Sequence, residues 1–293
     1  MLIESFLDYL QYERNYSGHT IKNYGADIVQ FQEYIQRMDN SFLLTEVTPV
    51  MVREWIIELM DKGLAASAIN RKLSALRSFY KYLLRQGDIT IDPLRKITGP
   101  KKKKPLPTFV TESAMDELLD KVDFGEGFIG CRDRLIIEMF YMTGIRSAEL
   151  IGLNDADVDL SSSVIKVTGK RNKQRSIPFG EELKKSIIQY LNIRREEVPV
   201  QTNAFFVKQD GKRVYERLVY SVVKTNLSKV VTQKKRSPHV LRHTFATAML
   251  NNEAELGAIK ELLGHNSLAT TEIYTHTTFE ELKKVYKQAH PRA

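Results

Sequence analysis

The nine residues GPKKKKPLP, Gly99 to Pro107, constrain this chain more than any other stretch. Three prolines and a glycine cannot continue a helix, and four adjacent lysines cannot enter a core. The 293 residues therefore read as two domains, 1–98 and 108–293, joined by a basic, proline-rich linker at 99–107. A solvated charge run explains the lysines as well as a linker lying near a phosphate backbone does.

Before the linker the periodicity is helical. In HTIKNYGADIVQFQEYI the residues Ile21, Tyr24, Ile28, Phe31 and Ile35 fall three or four apart. TPVMVREWIIELMDKG opens on Thr48 and Pro49, carries Val52, Trp55, Ile56 and Leu59, and stops at Gly63. SAINRKLSALRSFYKYLLRQG opens at Ser67, carries Leu73, Leu76, Tyr80 and Leu83, and stops at Gly87. The first fourteen residues predict another helix through Phe6, Leu7 and Leu10. After the linker, GCRDRLIIEMFYMTG predicts a buried helix ending at Gly144. VIKVTGKRNKQRSIPFG predicts a β-hairpin, with Ile165 and Val167 in one strand, KRNK in the turn, and Ile177 and Phe179 returning. The remainder is helical. The expected fold is mainly α with a small antiparallel β-sheet: an all-helical N-terminal domain, then an α+β domain.

The net charge of +8 favours an anionic partner, with nucleic acid first in line. Residues 1–100 hold 12 Lys+Arg against 12 Asp+Glu, so the excess lies in the lysine run and beyond. A single cysteine, Cys131, allows no disulfide framework and points to a reducing compartment. The start, MLIESFLDYLQYER, lacks the pattern of a signal peptide. No apolar run approaches the roughly 18 residues of a membrane span. A cytoplasmic protein without membrane contact is expected.

SPHVLRHTFAT, Ser237 to Thr247, predicts a helix start at Ser237 and Pro238, with His239, Arg242 and His243 on one broad face. Three readings compete. Two histidines at i and i+4 match zinc spacing. However, the glutamate of HExxH is missing, one cysteine offers no thiolate cluster, and Arg242 beside a dication is unfavourable, so neither metal nor cofactor is expected. A packed helix with polar edges fits the stripe Leu241, Phe245, Ala248 and Met249, with His243 lying away from it. A phosphate grip fits the planar donor fork of arginine and the anion preference of a helix N-terminus. His239 and Arg242 lie between stripe and solvent, a placement that suits a cleft wall.

Further polar positions follow in order. Arg146 stands in TGIRSAEL, Lys170 in the hairpin turn, His265 after Gly264 in ELLGHNSLATTEIYTH, and Tyr274 nine residues later. With His239 and Arg242, this series resembles the tyrosine recombinases of the phage integrase family, Xer type (XerC/XerD-like). The resemblance covers nearly the whole chain, including LSALRSFYKYL and the turn at Asp92-Pro93. It implies a core DNA-binding (SAM-like) N-terminal domain and a C-terminal catalytic domain. It places the family's catalytic set on Arg146, Lys170, His239, Arg242, His265 and Tyr274, with Glu149 in support. The implied reaction is site-specific strand exchange through a 3′-phosphotyrosyl bond to Tyr274. Arg146 and Arg242 would neutralise the phosphate, Lys170 would act as general acid, His239 as base, and His265 would hydrogen-bond a phosphate oxygen. Lys173 is a rival for Lys170 in the same turn. Arg71, Ser74, Ser78, Lys81 and Arg85, which a solvated face explains as well, become candidate DNA contacts. Only Asn251-Asn252-Glu253 departs from the pattern, where a glycine-containing turn is expected.

The implied partners are a double-stranded DNA recombination site and a tetramer on it, either of this chain alone or with a related recombinase. A DNA translocase is a candidate activator. The terminal helix, 279–289, carries Phe279, Leu282 and Val285 or Tyr286 at helical spacing and is too short to stand alone; folding back on its own domain would cover it, while the resemblance implies docking on a neighbouring subunit. An integrase of a mobile element shares the chemistry but often carries an extra arm-binding domain. This chain starts almost at once with the core-binding helices, which favours resolution of chromosome or plasmid dimers. A type IB topoisomerase is disfavoured by the terminal helix, and a DNA-binding protein without catalysis by the intact catalytic set.

Overall fold

Helical spacing before the linker becomes α1 (Leu2–Asp8), α2 (Gly18–Met38), α3 (Pro49–Asp61) and α4 (Ala66–Gln86). The computed structural model describes residues 2–101, 108–169, 173–264 and 279–293. It divides into two compact units, Met1–Pro105 and Leu106–Ala293. In the first, α2 and α3 start where Ser17 and Thr48 accept N–H bonds from Thr20 and Met51. The last of these helices begins before Ser67: Ala65 holds the N-cap position, and no side chain caps it. Its end at Gly87 is as expected, in the left-handed region at φ 82°.

Two features of this unit depart from simple periodicity. Helix α1 runs on into a π-helical turn, Tyr9–Glu13, in which the Arg14 N–H bonds the Tyr9 carbonyl. Phe6, Tyr9 and Leu10, at i, i+3 and i+4, are all buried in the core. The second feature is a buried carboxylate. Asp27 on α2 receives both Arg71 and Lys72 of α4. An unpaired charge could not be buried there, and two cations offset the desolvation.

The second unit is built around α6 (Gly127–Thr143), whose Leu135, Ile136, Met139, Phe140 and Met142 are all buried. Around it stand α5 (Glu112–Asp120), α7 (Ser147–Gly152), α8 (Glu181–Glu197), α9 (Glu216–Leu227), α10 (Pro238–Asn251), α11 (Leu256–Leu263) and α12 (Phe279–Ala289). The hairpin is present as β2 (Val164–Thr168) and β3 (Gln174–Pro178), antiparallel, with Ile165 opposite Ile177 and Val167 opposite Arg175. A short strand not foreseen from sequence, β1 (Val158–Asp159), pairs with β2 to complete the sheet. Ser237 takes the N-cap position of α10 but makes no side-chain cap bond. No described helix is long and apolar enough to cross a membrane.

The terminal helix finds a partner surface within the chain, one of the two dockings left open by the sequence. In the single chain, α12 packs on its own unit. Leu282, Tyr286 and Ala289 are buried in a cluster with Phe245, Met249, Ile259 and Leu262. His290 follows, 4% exposed, stacked on Tyr286 and Phe245. Its Nε2–H donates to the Tyr141 carbonyl, and its Nδ1 accepts from the Arg292 N–H. Arg292 then bonds Asp116, Asp120 and Glu182. The apolar partner surface that so short a helix needs is thus supplied within the chain.

This packing has a pH signature. Burial pushes the His290 imidazole down to about 4. Because an unfolded histidine titrates near ~6.5, the unfolded chain takes the proton first as pH falls. Stability should therefore be intact at neutral pH and decline towards the folded pKa, by about 2 kcal/mol at about pH 5. Urea unfolding of wild type and His290→Gln at neutral and mildly acidic pH checks this. An equal acid loss in both proteins would place its origin elsewhere.

Candidate active site

Gly144 ends α6 in the left-handed region at φ 60°, and a Cβ there would lie 2.6 Å from Phe245 Cδ1 and 2.8 Å from Leu263 Cδ2. Only glycine meets both constraints. This tight join delivers Arg146 to the start of α7. There its backbone N–H donates to Glu149 Oε2 at 2.9 Å, and its Nη1 to Glu149 Oε1 at 2.7 Å. The other guanidinium nitrogen, Nη2, donates to the Gly264 carbonyl at 2.7 Å.

Arg242, one turn into α10, reaches the same place. It is 8% exposed. Its Nη1 donates to the Gly144 carbonyl and its Nη2 to the Leu263 carbonyl. Both arginines therefore touch the end of α11, where Gly264 turns the chain at φ 64°. His239 stands on the first turn of α10 and is exposed, and His243 is exposed as well. The sequence reading put Arg242 at the edge of the apolar stripe; it lies deeper, because the carbonyls of Gly144 and Leu263 satisfy its donors inside.

One member of the cluster was missed in the sequence. Arg175 on β3 grips Glu149 with both guanidinium nitrogens, at 2.7 and 2.9 Å, and its Nε donates to the Leu262 carbonyl at 2.9 Å. A signal existed: strand alternation puts Arg175 on the same face as buried Ile177. An arginine at an inward strand position calls for a carboxylate, and Glu149 supplies it.

Electrostatically the cluster is unbalanced. Three guanidinium groups face one carboxylate. Burial raises the Glu149 carboxyl, but the bonds from Arg175 and from Arg146 outweigh it, so the group lies below its usual range and stays ionised. Burial, then Arg146 and Arg175, push Arg242 down to about 10, still charged at neutral pH. Such a site is charged in advance for an anion. No group of three or more potential metal ligands occurs among the described residues.

Lys170, His265 and Tyr274 lie outside the described residues. The described residues that flank them, Gly169 and Gly264, lie at the cluster. Gly169 donates to the Lys173 carbonyl at 2.7 Å across the base of the hairpin turn, and Gly169 lies against Glu149. The segment holding His265 leaves from Gly264, the residue that Arg146 holds. Lys173 is exposed.

Residues 108–281 match the Phage integrase family, and residues 3–87 match the phage integrase N-terminal SAM-like domain. The chain belongs to the phage integrase family. It is a site-specific tyrosine recombinase, an enzyme of DNA cleavage and religation. Among curated relatives, the tyrosine recombinase XerC of Chlorobaculum tepidum is 37% identical over 98% of this chain and 94% of its own length. The tyrosine recombinase XerC of Staphylococcus carnosus is 40% identical over 99% and 97%. Among solved structures, the XerH site-specific recombinase bound to palindromic difH substrate, in a post-cleavage complex, matches with a TM-score of 0.74. It shares 26% identity over 96% of this chain and 83% of that one.

Proposed function

We propose that this recombinase acts on double-stranded DNA at a specific site, resolving chromosome or plasmid dimers, and that the Arg146–Glu149–Arg175–Arg242 cluster holds the scissile phosphate. The carrying observation is the cluster's excess of guanidinium over carboxylate, anchored on backbone carbonyls. An arginine has five N–H donors. Arg146 and Arg242 each use side-chain donors on the protein and keep others for non-bridging phosphate oxygens. The charge that builds on those oxygens in a pentacoordinate transition state meets cations already in place.

In this reading the Tyr274 hydroxyl attacks phosphorus, a P–Oη bond forms, and the bond to the 5′-oxygen breaks. His239 takes the phenolic proton, and Lys170 gives a proton to the leaving oxygen. One phosphoester replaces another, so no energy source is needed and the step reverses onto a new strand. His265 donates to a phosphate oxygen. Four subunits, identical or in two related pairs, would assemble on the DNA.

The test is a nicked duplex carrying candidate dimer-resolution sites, incubated with the protein in excess EDTA. A covalent protein–DNA adduct is expected. The only carboxylate in the cluster is already engaged by Arg146 and Arg175, and the arginines supply the positive charge. An adduct that forms only when a divalent ion is added back would contradict this.

The general acid has its own test. Lys170→Ala is expected to lose cleavage on normal DNA and to regain much of it on a 5′-bridging phosphorothiolate, whose sulfur leaves without a proton. Rescue of Lys173→Ala in place of Lys170→Ala would reassign the acid.

A further inference from the structure

All three nitrogens of the Arg175 guanidinium bond within the protein. Nη1 and Nη2 donate to the two oxygens of Glu149 at 2.7 and 2.9 Å, and Nε donates to the Leu262 carbonyl at 2.9 Å. The Arg175 side chain is 15% exposed, whereas that of Arg146, which shares Glu149 with it, is 36% exposed. Arg146 is thus placed to meet an incoming phosphate, while Arg175 is turned into the protein.

Three segments converge on this one side chain. The first is α7, through Glu149, whose Oε1 also accepts from Arg146 Nη1 at 2.7 Å. The second is the end of α11. Leu262, bonded by Arg175 Nε, stands two residues before Gly264, whose carbonyl accepts from Arg146 Nη2 at 2.7 Å. The Arg175 stem runs close beside that glycine, where a Cβ would lie 3.1 Å from Arg175 Cδ. The third segment is the hairpin. Its strand β3 is at the sheet edge, and Arg175 ties it to α11. Arg175 stands opposite Val167 on β2. Two residues beyond Val167 is Gly169, where a Cβ would lie 3.3 Å from Glu149 Oε1. Gly169 closes the base of the turn by donating to the Lys173 carbonyl at 2.7 Å, and Lys170 belongs to that turn.

We infer that Arg175 is a positioning residue that fixes the acid-bearing hairpin and Arg146 relative to one another, through Glu149 and the end of α11, so that one brace sets both the proton donor and the phosphate-binding guanidinium. The inference rests on the recombinase mechanism proposed above. The brace requires a planar fork. A lysine pairs with Glu149 as a point charge, but it does not hold both carboxylate oxygens and the Leu262 carbonyl at once. Burial raises the Glu149 carboxyl, and the bond from Arg175 is the largest of those that bring it down, so the same contact keeps the charge that orients Arg146.

The experiment measures single-turnover adduct formation by full-length Arg175→Lys on two nicked duplexes, one with a normal phosphodiester and one with a 5′-bridging phosphorothiolate. Each rate is taken relative to wild type on the same duplex. A misplacement of about 1 Å costs about 10²-fold, and a loss of about that size is expected on the normal duplex. The phosphorothiolate does not need the acid, so about tenfold of the loss should be recovered there, the rest being the misplacement of Arg146. Loss of folded protein lowers both rates alike and leaves their ratio unchanged, so the ratio reports positioning. Arg175→Gln, with one amide in place of the fork, is expected to show the same split and replaces Arg175→Lys if that variant is too unstable to assay. Full recovery on the phosphorothiolate would confine Arg175 to the hairpin and overturn the shared brace. An equal loss on both duplexes would confine it to Arg146, to phosphate binding or to the fold, and would overturn it too, as would wild-type rates on both. In each case a wild-type adduct leaves the recombinase reading standing. Absence of any wild-type adduct on either duplex would defeat that reading and the inference with it.

Discussion

Tyr274→Phe is expected to bind duplex DNA within about twofold of wild type and to form no covalent adduct. The substitution removes one hydroxyl and leaves an apolar ring of nearly the same size. Binding draws mainly on phosphate contacts spread over the protein surface, so it should survive. In the proposed mechanism Tyr274 is the nucleophile, so its loss leaves cleavage without an attacking group. The residue is singled out by its place in IYTH after LLGH, in a segment that departs from Gly264, which Arg146 grips at 2.7 Å. A phenol titrates near ~10, so at neutral pH the hydroxyl is protonated and needs a base. His239→Ala should accordingly slow adduct formation less than Tyr274→Phe does, since solvent can accept the proton. Peptide mapping of the wild-type adduct decides the assignment, and a phosphotyrosine at any other position would sink it.

Much of the architecture was legible because it is written in local signals. Thr48-Pro49 and Gly63 bracket α3, and Gly144 marks the end of α6. The hairpin followed from alternation on either side of a polar turn, and its register pairs Ile165 with Ile177. What was hidden depends on contacts distant in sequence. Arg71 looked like a free surface cation until Asp27, 44 residues away, was seen to bind it. Arg175 drew no reading from the sequence, because the carboxylate that takes its fork, Glu149, is 26 residues away. The partner of α12 lay open between a neighbouring subunit and its own domain, because an amphipathic stripe states that a surface is needed and not whose surface it is. Its docking in the chain's own groove means that ending the chain at Thr278 would uncover Phe245, Met249 and Leu262. Any loss of cooperativity in such a truncation must therefore be compared with its loss of stability.

Arg242→Ala should separate catalysis from folding most sharply. Two stability effects oppose each other. The carbonyls of Gly144 and Leu263 lose their donors, and each stranded polar group costs about 1–3 kcal/mol if it stays dry. Against that, a buried cation already held down to about 10 by burial and by Arg146 and Arg175 is removed, which relieves repulsion. The net change in urea stability should thus be small, within about 2 kcal/mol. Catalysis has no such offset. Loss of one preorganised charge donor at a developing oxyanion costs about 10²–10³ in rate, so single-turnover cleavage should fall at least that far. Arg242→Lys tests whether charge alone suffices. An ammonium is a point charge without the planar fork, and it cannot span the Gly144 and Leu263 carbonyls while also facing a phosphate. It should recover binding more than rate. Full cleavage by Arg242→Lys would show that the site needs only a cation there, and that the two carbonyl anchors do not preorganise the catalytic group.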